Sequence, residues 1–548
     1  MAIKPYRKEI ILMKETRLKK QLLLPVMIIF ILISLSACRY SKKDKHKVLL
    51  IGLDGAGWNV MHPLIDKGKL PNIKQLMDKG YWGELKTFSP LDSEVIWTSI
   101  ATGKTPQKHG IINRLMEDPD NGDNVPPTSN MRTTKAIWNI LSEKRRKVGV
   151  FQYMVTWPAE EVNGVMVSGN IVDLGGIDYF SKDRSYPPFA TLCSKQKFEN
   201  FKLLEKSIFG NIEKEKFPNF WWSVEEIDNF TINIFKHFFK RKDFDFSLLY
   251  LRGIDVTSHC FWQYLFPEGF DVPEDDIQRY KEVINNYYLW CDGIIGDILK
   301  ETDEDTAIFI VSDHGFKTRA KDDYLFTKAE YLLEVCGIKE INKDGEKVIL
   351  ENYPNDPHSF KKNIRIIGDL SGKDFGKIRE EAKNVLKSVK VLETGYNIFS
   401  NIKDTQAGFL IDAPKSYMIK NPEHHIIIND KKHKISDFLI NHIYPGAHSH
   451  SGIIIASGKH MASNKEVKSA TIYDITPTVL YYMGLSAARD MDGKVLTEAI
   501  ERNYLEARPV KYIDTYENKK REAAQKPIRS FLDEEKIKEK MRSLGYIN

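Results

Sequence analysis

Seven side chains in this 548-residue chain have the types and spacing to do chemistry. They are Ser93, three aspartates (Asp54, Asp255, Asp313) and three histidines (His259, His314, His448). Ser93 lies between Asp92 and Glu94, ahead of an apolar run at 95–100 in the stretch PLDSEVIWTSIATGKTPQKHG. Apolar positions 95, 96, 97 and 100 fit the buried face of a short helix. Ser93 would then stand at the helix start, where free backbone N–H groups and the positive dipole end favour an anion such as phosphate. Singly, each residue has an ordinary reading. A serine at a helix start commonly serves as a cap, an aspartate before glycine shapes a turn, and an Asp/His pair at i,i+4 decorates a helix surface. Together they form a set of oxygen and imidazole ligands with no thiolate, which suits a pair of divalent ions such as Zn²⁺. Two such ions about 4 Å apart clamp the attacking and leaving oxygens of an in-line phosphoryl displacement. One of them would also acidify the Ser93 hydroxyl, making it a nucleophile.

The elements that must bring these residues together show as apolar runs. KVLLIGL, Lys47–Leu53, suits a strand buried on both faces and delivers Asp54 at its carboxyl end, where open α/β sheets bind ligands. FDFSLLYL (244–251) leads to Gly253-Ile254-Asp255; His259 follows four residues on and shares a face with Asp255 if a helix begins there. TAIFIVS (306–312) runs into Asp313-His314-Gly315-Phe316, and Gly446-Ala447-His448-Ser449-His450 precedes a further strand at 451–456, with His450 as the rival to His448. Strands at 83–87, 148–155 and 165–168 alternate with helical stretches at 60–79 (interrupted near Pro71), 274–300 and 472–485, the rhythm of an α/β protein. That rhythm stops at 318–445, where a charged helix (375–390) and the alternating HHIIIND segment suggest an inserted subdomain serving substrate selection. The polar, aromatic region 173–222 reads as lid-like cover. The catalytic core is therefore expected at 47–317 and 446–500, followed by a charged tail, 501–548, with an amphipathic helix at 533–544.

Composition is that of an ordinary globular protein, 42% apolar and 28% charged. The net charge of +6 misleads, because the first 45 residues hold eleven of the 81 Lys and Arg but three of the 75 Asp and Glu. The body is near neutral and offers no electrostatic argument for a nucleic-acid surface. The basic start has the form of an export leader: Lys14, Arg17, Lys19 and Lys20 precede a largely apolar stretch of 14 residues at 22–35, too short for a comfortable transmembrane helix, which needs about 20. Leu35-Ser36-Ala37-Cys38 resembles a bacterial lipobox, which implies a signal peptide at 1–37, lipid on Cys38 and a tether at 38–46. Met13 offers a more compact start than Met1. The chain would be an exported bacterial lipoprotein facing the periplasm or cell exterior, attached to a membrane through Cys38. Cys193, Cys260, Cys291 and Cys336 are widely spaced, so no zinc knuckle or dense disulfide frame is expected, although one disulfide would be permissible after export.

At these residues the chain resembles the alkaline phosphatase superfamily, and within it the type I phosphodiesterase and nucleotide pyrophosphatase branch. The resemblance spans roughly 47–500 and rests on LIGLDGAGW, LPNIKQL, SEVIWTSIATGKTPQKHGI, WPAEEVNGVMVSG, the Asp255–His259 spacing, SDHGF, GAHSHSG and DITPTVLYYMGL in that order. It implies a three-layer α/β sandwich with a mostly parallel central sheet and an inserted subdomain. It also implies Ser93 as nucleophile, one metal on Asp255, His259 and His448, and the other on Asp54, Asp313 and His314. Many members use threonine as nucleophile, and serine is an equivalent alcohol. Where the well-known pyrophosphatases carry a phosphoryl-contacting asparagine, 21 residues after the nucleophile, this chain has Arg114, with Asn113 one residue early. A guanidinium suits a more highly charged phosphate, which leaves monoester against diester open. The Pro and Arg of the sulfatase signature are replaced by Val95 and Trp97, which argues against a sulfatase. The expected activity is phosphodiester or pyrophosphate hydrolysis through a phospho-serine. The rivals are a phosphomonoesterase or phosphoryl transferase acting on envelope glycans or lipids, and a non-catalytic surface-binding lipoprotein.

Overall fold

The computed structural model describes residues 46–517, leaving out 118–123, 170–182, 202–205, 211, 218–221 and several stretches between 320 and 444. The expected signal peptide, Cys38, Cys336, much of the lid-like region and the helix at 533–544 lie outside the described residues. Among the described residues no helix is long and apolar enough to cross a membrane.

Nine strands form the central sheet: β1 (Lys47–Leu53), β2 (Tyr81–Lys86), β3 (Val148–Phe151), β4 (Gly164–Val167), β5 (Ser185–Tyr186), β6 (Phe246–Leu251), β7 (Thr306–Val311), β8 (Ser451–Ser457) and β9 (Lys465–Thr471). Their spatial order is β9-β2-β8-β7-β1-β6-β3-β4-β5. Neighbours run parallel except at β2·β8, β8·β7 and β4·β5. The sheet is mixed and mostly parallel, with helices on both faces.

Strand periodicity explains the layering, because successive side chains point to opposite faces. Leu49, Ile51 and Leu53 of β1 pack into one apolar layer with α1 (Trp58–Asp66), α2 (Pro71–Lys79), α4 (Val224–Lys242), α5 (Gly253–Leu265) and α6 (Val283–Leu299). Val48 and Leu50 face the other layer, built on α3 (Ser93–Thr102) and α7 (Ile475–Tyr482). A strand covered on both sides has no polar face, hence the unbroken apolar runs in the sequence. The break expected near Pro71 separates α1 from α2, with Pro71 in the first turn of α2, where its missing N–H costs nothing. Strand 148–155 is shorter than expected and stops at Phe151.

Register sets the level of the strand ends. Leu53 pairs with Leu251, and Gly52 with Val311, so β1, β6 and β7 finish side by side. β8 runs the opposite way and starts at that edge, and β2 ends there, with Lys86 opposite Ser451. Between β7 and β8 the chain leaves the core and returns. Gly315–Thr318 pairs antiparallel with Gly446–Ser449, pinning both ends of the excursion. Within the excursion lie a five-stranded antiparallel sheet (Glu340–Lys343, Glu346–Tyr353, Lys361–Ile367, Gly408–Asp412 and Ile402–Asp404, in spatial order) and the helix Phe375–Ser388. HHIIIND supplies the strand His425–Ile428 of a separate three-stranded sheet.

Candidate active site

Five chain segments meet at the edge that the register creates. Asp54 follows β1, and Gly55 turns the chain with φ 72°, in the left-handed region that glycine occupies at little cost. Ser93 comes from the segment after β2, Asp255 and His259 from α5 after β6, Asp313 and His314 from the end of β7, and His448 from the return strand before β8. Ser93 is the first residue of α3; the capping position belongs to Asp92, whose carbonyl accepts the N–H groups of Val95 and Ile96, both at 3.0 Å.

Two groups of three ligand-type side chains result, Asp255–His259–His448 and Asp54–Asp313–His314, each with one ligand atom per residue mutually within 4.8 Å. In the first, Asp255 Oδ1 lies 3.4 Å from His259 Nε2 and 3.2 Å from His448 Nε2, and those nitrogens are 2.9 Å apart. In the second, His314 Nε2 is 3.6 Å from Asp54 Oδ1 and 3.4 Å from Asp313 Oδ2. Asp255 Oδ1 is also 3.8 Å from His314 Nε2, so the groups adjoin. Ser93 Oγ stands 3.2 Å from His314 Nε2 and 3.5 Å from Asp54 Oδ1.

The imidazole tautomers follow from their other contacts. His314 Nδ1 donates to Gly315 O (3.2 Å), His448 Nδ1 to Leu91 O (2.9 Å) and His259 Nδ1 to Gly446 O (3.3 Å). A carbonyl oxygen only accepts, so each Nδ1 carries the proton and each Nε2 presents a lone pair. A metal-ligating histidine takes this arrangement, its outer nitrogen tied to a carbonyl. The two centres therefore gather lone pairs that face one another. Among the described residues, no hydrogen-bond donor reaches the buried Asp255 Oδ1 or Asp313 Oδ2. Such a cluster is unfavourable unless cations sit in it, and two divalent ions fit the donor set.

The electrostatics agree. Burial, then the charge of Asp255, push Asp54 up to about 7, and burial with the charges of Asp54 and Asp255 raises Asp313 well above the carboxylate range. Asp255 is pulled both ways: burial raises it, and any protonation of His259 or His448 lowers it. Burial lowers His259 and His448 and takes His314 to about 4, so these imidazoles are neutral and ligand-ready near pH 7. Three buried carboxylates this close cannot all ionise without counter-charge.

His450 lies outside both groups and pairs with Ser89 Oγ at 2.7 Å. Arg114 flanks the site: its Nε is 3.9 Å from Glu94 Oε1, and its charge adds to burial in lowering His314. Asn113 is exposed. Sequence reasoning met Trp97 only as a departure from the sulfatase signature and missed Tyr250, yet both donate to Asp54 Oδ2, Trp97 Nε1 at 3.3 Å and Tyr250 through its hydroxyl, leaving Oδ1 toward Ser93. A phenol one residue from the carboxyl end of the largely apolar strand FSLLYL was the available signal for Tyr250. Cys193, Cys260 and Cys291 carry free thiols.

Comparison with known proteins identifies the family. Residues 48–433 match the family model for type I phosphodiesterase / nucleotide pyrophosphatase, a span that contains every candidate ligand except His448. Among solved structures, the chain is similar to an inactive form of murine ectonucleotide pyrophosphatase / phosphodiesterase 5 in complex with AMP, at 13% identity and a TM-score of 0.45, covering 83% of this chain and 100% of that one. It is also similar to the human counterpart (15% identity, TM-score 0.44, 83% and 98% covered). Phosphonoacetate hydrolase from Sinorhizobium meliloti 1021, in complex with phosphonoacetate, gives 14% identity, a TM-score of 0.44, and coverage of 80% and 96%. No curated protein matches in sequence. The chain belongs to the type I phosphodiesterase / nucleotide pyrophosphatase family of phosphoester hydrolases.

Proposed function

We propose that this protein hydrolyses an extracytoplasmic phosphodiester or pyrophosphate through a covalent phospho-serine at Ser93. The observation that carries the reading is the convergence of two lone-pair-rich groups on one hydroxyl at a helix N-terminus. Asp255, His259 and His448 would hold one divalent ion, and Asp54, Asp313 and His314 the other, with Zn²⁺ the best match to imidazole and carboxylate. When bound, the two ions supply charge neutralisation at the phosphoryl oxygens and acidify a neighbouring hydroxyl.

The chain's own residues do the rest. Trp97 and Tyr250 fix Asp54, and the carbonyls of Leu91, Gly315 and Gly446 fix the imidazole planes. The N-terminus of α3 directs its dipole at the phosphoryl group. The Ser93 Oγ–P bond forms as the bond from phosphorus to the leaving oxygen breaks. Water attack then cleaves Oγ–P and returns the serine. Arg114, beside the site, would contact a phosphoryl oxygen; Asn113, being exposed, is the weaker candidate. Arg114 also favours a second reading, a phosphomonoesterase or a phosphoryl transferase on envelope glycans or lipids, because a guanidinium suits a dianion.

Purified protein assayed on nitrophenyl phosphodiester and monoester should prefer the diester, and the reverse preference would support the second reading. Ser93→Ala should lose about a thousandfold or more in turnover with its metal content unchanged; undiminished turnover rejects the mechanism. Attachment to a membrane through Cys38 belongs to the same proposal. Palmitate labelling of wild type but not of Cys38→Ala is the expected outcome, and equal labelling of both would refute it.

A further inference from the structure

Asp255 and His259 lie on the first turns of α5, so the placement of that helix decides where both ligands point. Asp54 is steered by donors from Trp97 and Tyr250, whereas among the described residues no donor reaches Asp255 Oδ1, so the course of the backbone weighs more heavily there. That backbone is gripped from another helix. Asp228 of α4 is 2% exposed and accepts the N–H of Arg252 (3.1 Å to each carboxylate oxygen), the N–H of Gly253 (2.9 Å) and the hydroxyl of Tyr287 (2.9 Å). The first N–H groups of a helix have no partner inside it, and a negative charge there complements the dipole. Tyr287 can reach Asp228 only because residue 253 is glycine; a Cβ at that position would come within 1.8 Å of the tyrosine Cζ. The carboxylate is also out of character for its setting. Val224, Asp228, Thr231 and Phe235 are all buried at helical spacing, so Asp228 occupies a place on the inward stripe of α4 where an apolar residue would pack.

We propose that Asp228 is a positioning residue for the Asp255–His259–His448 centre, its buried carboxylate anchoring the start of α5 and thereby fixing where Asp255 and His259 meet His448. The proposal rests on the reading of that triad as a metal centre, and it leaves the Asp54–Asp313–His314 centre independent of Asp228.

The test is Zn²⁺ affinity, measured by competition with a chromogenic chelator on wild type, Asp228→Asn and Tyr287→Phe, together with the melting temperature of each metal-free protein. Asp228→Asn should weaken one of two zinc equivalents about tenfold, leave the other and the metal-free melting temperature unchanged, and regain kcat in excess Zn²⁺. Tyr287→Phe, which removes one donor, should weaken the same equivalent about threefold, and it carries the test alone if Asp228→Asn does not fold. Unchanged affinity for both equivalents overturns the proposal. So does equal weakening of both together with a lower metal-free melting temperature, since that marks a general structural role. Wild-type protein that fails to bind two equivalents would defeat the reading of the triads themselves, a result distinguishable from wild type binding two and the variants matching it.

Discussion

Two serines on α3 each meet a histidine, and the two pairs are built for opposite purposes. Ser99 and His109 are both 0% exposed. Ser99 Oγ donates to Val95 O (3.0 Å), which leaves it to accept from His109 Nε2 (2.9 Å), while His109 Nδ1 accepts the N–H of Ile111 (3.2 Å). Every polar atom has a complementary partner, and the pair is a closed structural stitch. Six residues earlier, the Ser93 hydroxyl faces an imidazole lone pair and a carboxylate oxygen, and behind them lie more acceptors. Proximity of serine and histidine is common to both places. What separates them is a surplus of lone pairs around Ser93, which protons or divalent ions can neutralise.

Removing the cations should expose that contrast most strongly. Extensive chelation is expected to abolish turnover, by about a thousandfold or more, while near-UV circular dichroism reports an intact core; Zn²⁺ should restore the rate. Full activity after exhaustive metal removal would erase the distinction between the pairs. Next in size is Ser99→Ala, which strands a buried imidazole N–H and should cost about 1–3 kcal/mol in denaturant unfolding, with kcat/KM close to wild type. A loss of activity without a loss of stability would mean that Ser99 belongs to the chemistry.

The smallest effect is a pH slope. Burial, then the charge of Arg132, lower His109 from 6.5 to about 3, so between those values the unfolded chain takes up a proton that the folded chain refuses. Its stabilising contribution is complete above pH 6.5 and is lost as pH falls toward 3, at about 1.4 kcal/mol per pH unit at most. His109→Gln should flatten that slope in urea titrations from pH 7 to pH 4. An identical slope in the variant would show that His109 does not titrate as its burial implies.

Much of this architecture was legible because parallel strands covered on both faces must be apolar throughout, so a charged residue at the end of such a run marks the ligand-binding edge. KVLLIGL-Asp and TAIFIVS-Asp-His announce both the strand and its ligand. Ser93 at the start of a helix followed from the apolar spacing of 95–100. What pattern could not give was contact between distant residues. The G-x-H pattern favours His448 over His450, and the pairing of Gly446–Ser449 with Gly315–Thr318 is what brings His448 to Asp255 while His450 meets Ser89. The carbonyls that set the imidazole tautomers carry no side-chain signature at all. Asp228 did leave a trace, a carboxylate at an inward helical position, but its partners lie on two other elements.

The four-residue pairing at the mouth of the 318–446 excursion has an evolutionary consequence. Because both ends are clamped next to the ligands, the material between them can lengthen, shrink or be exchanged with little entropic penalty, which grows only logarithmically with contour length. Recognition can thus be rewritten in that interval while the hydrolytic machinery stays in register, so lineages sharing these triads should diverge most between Thr318 and Gly446.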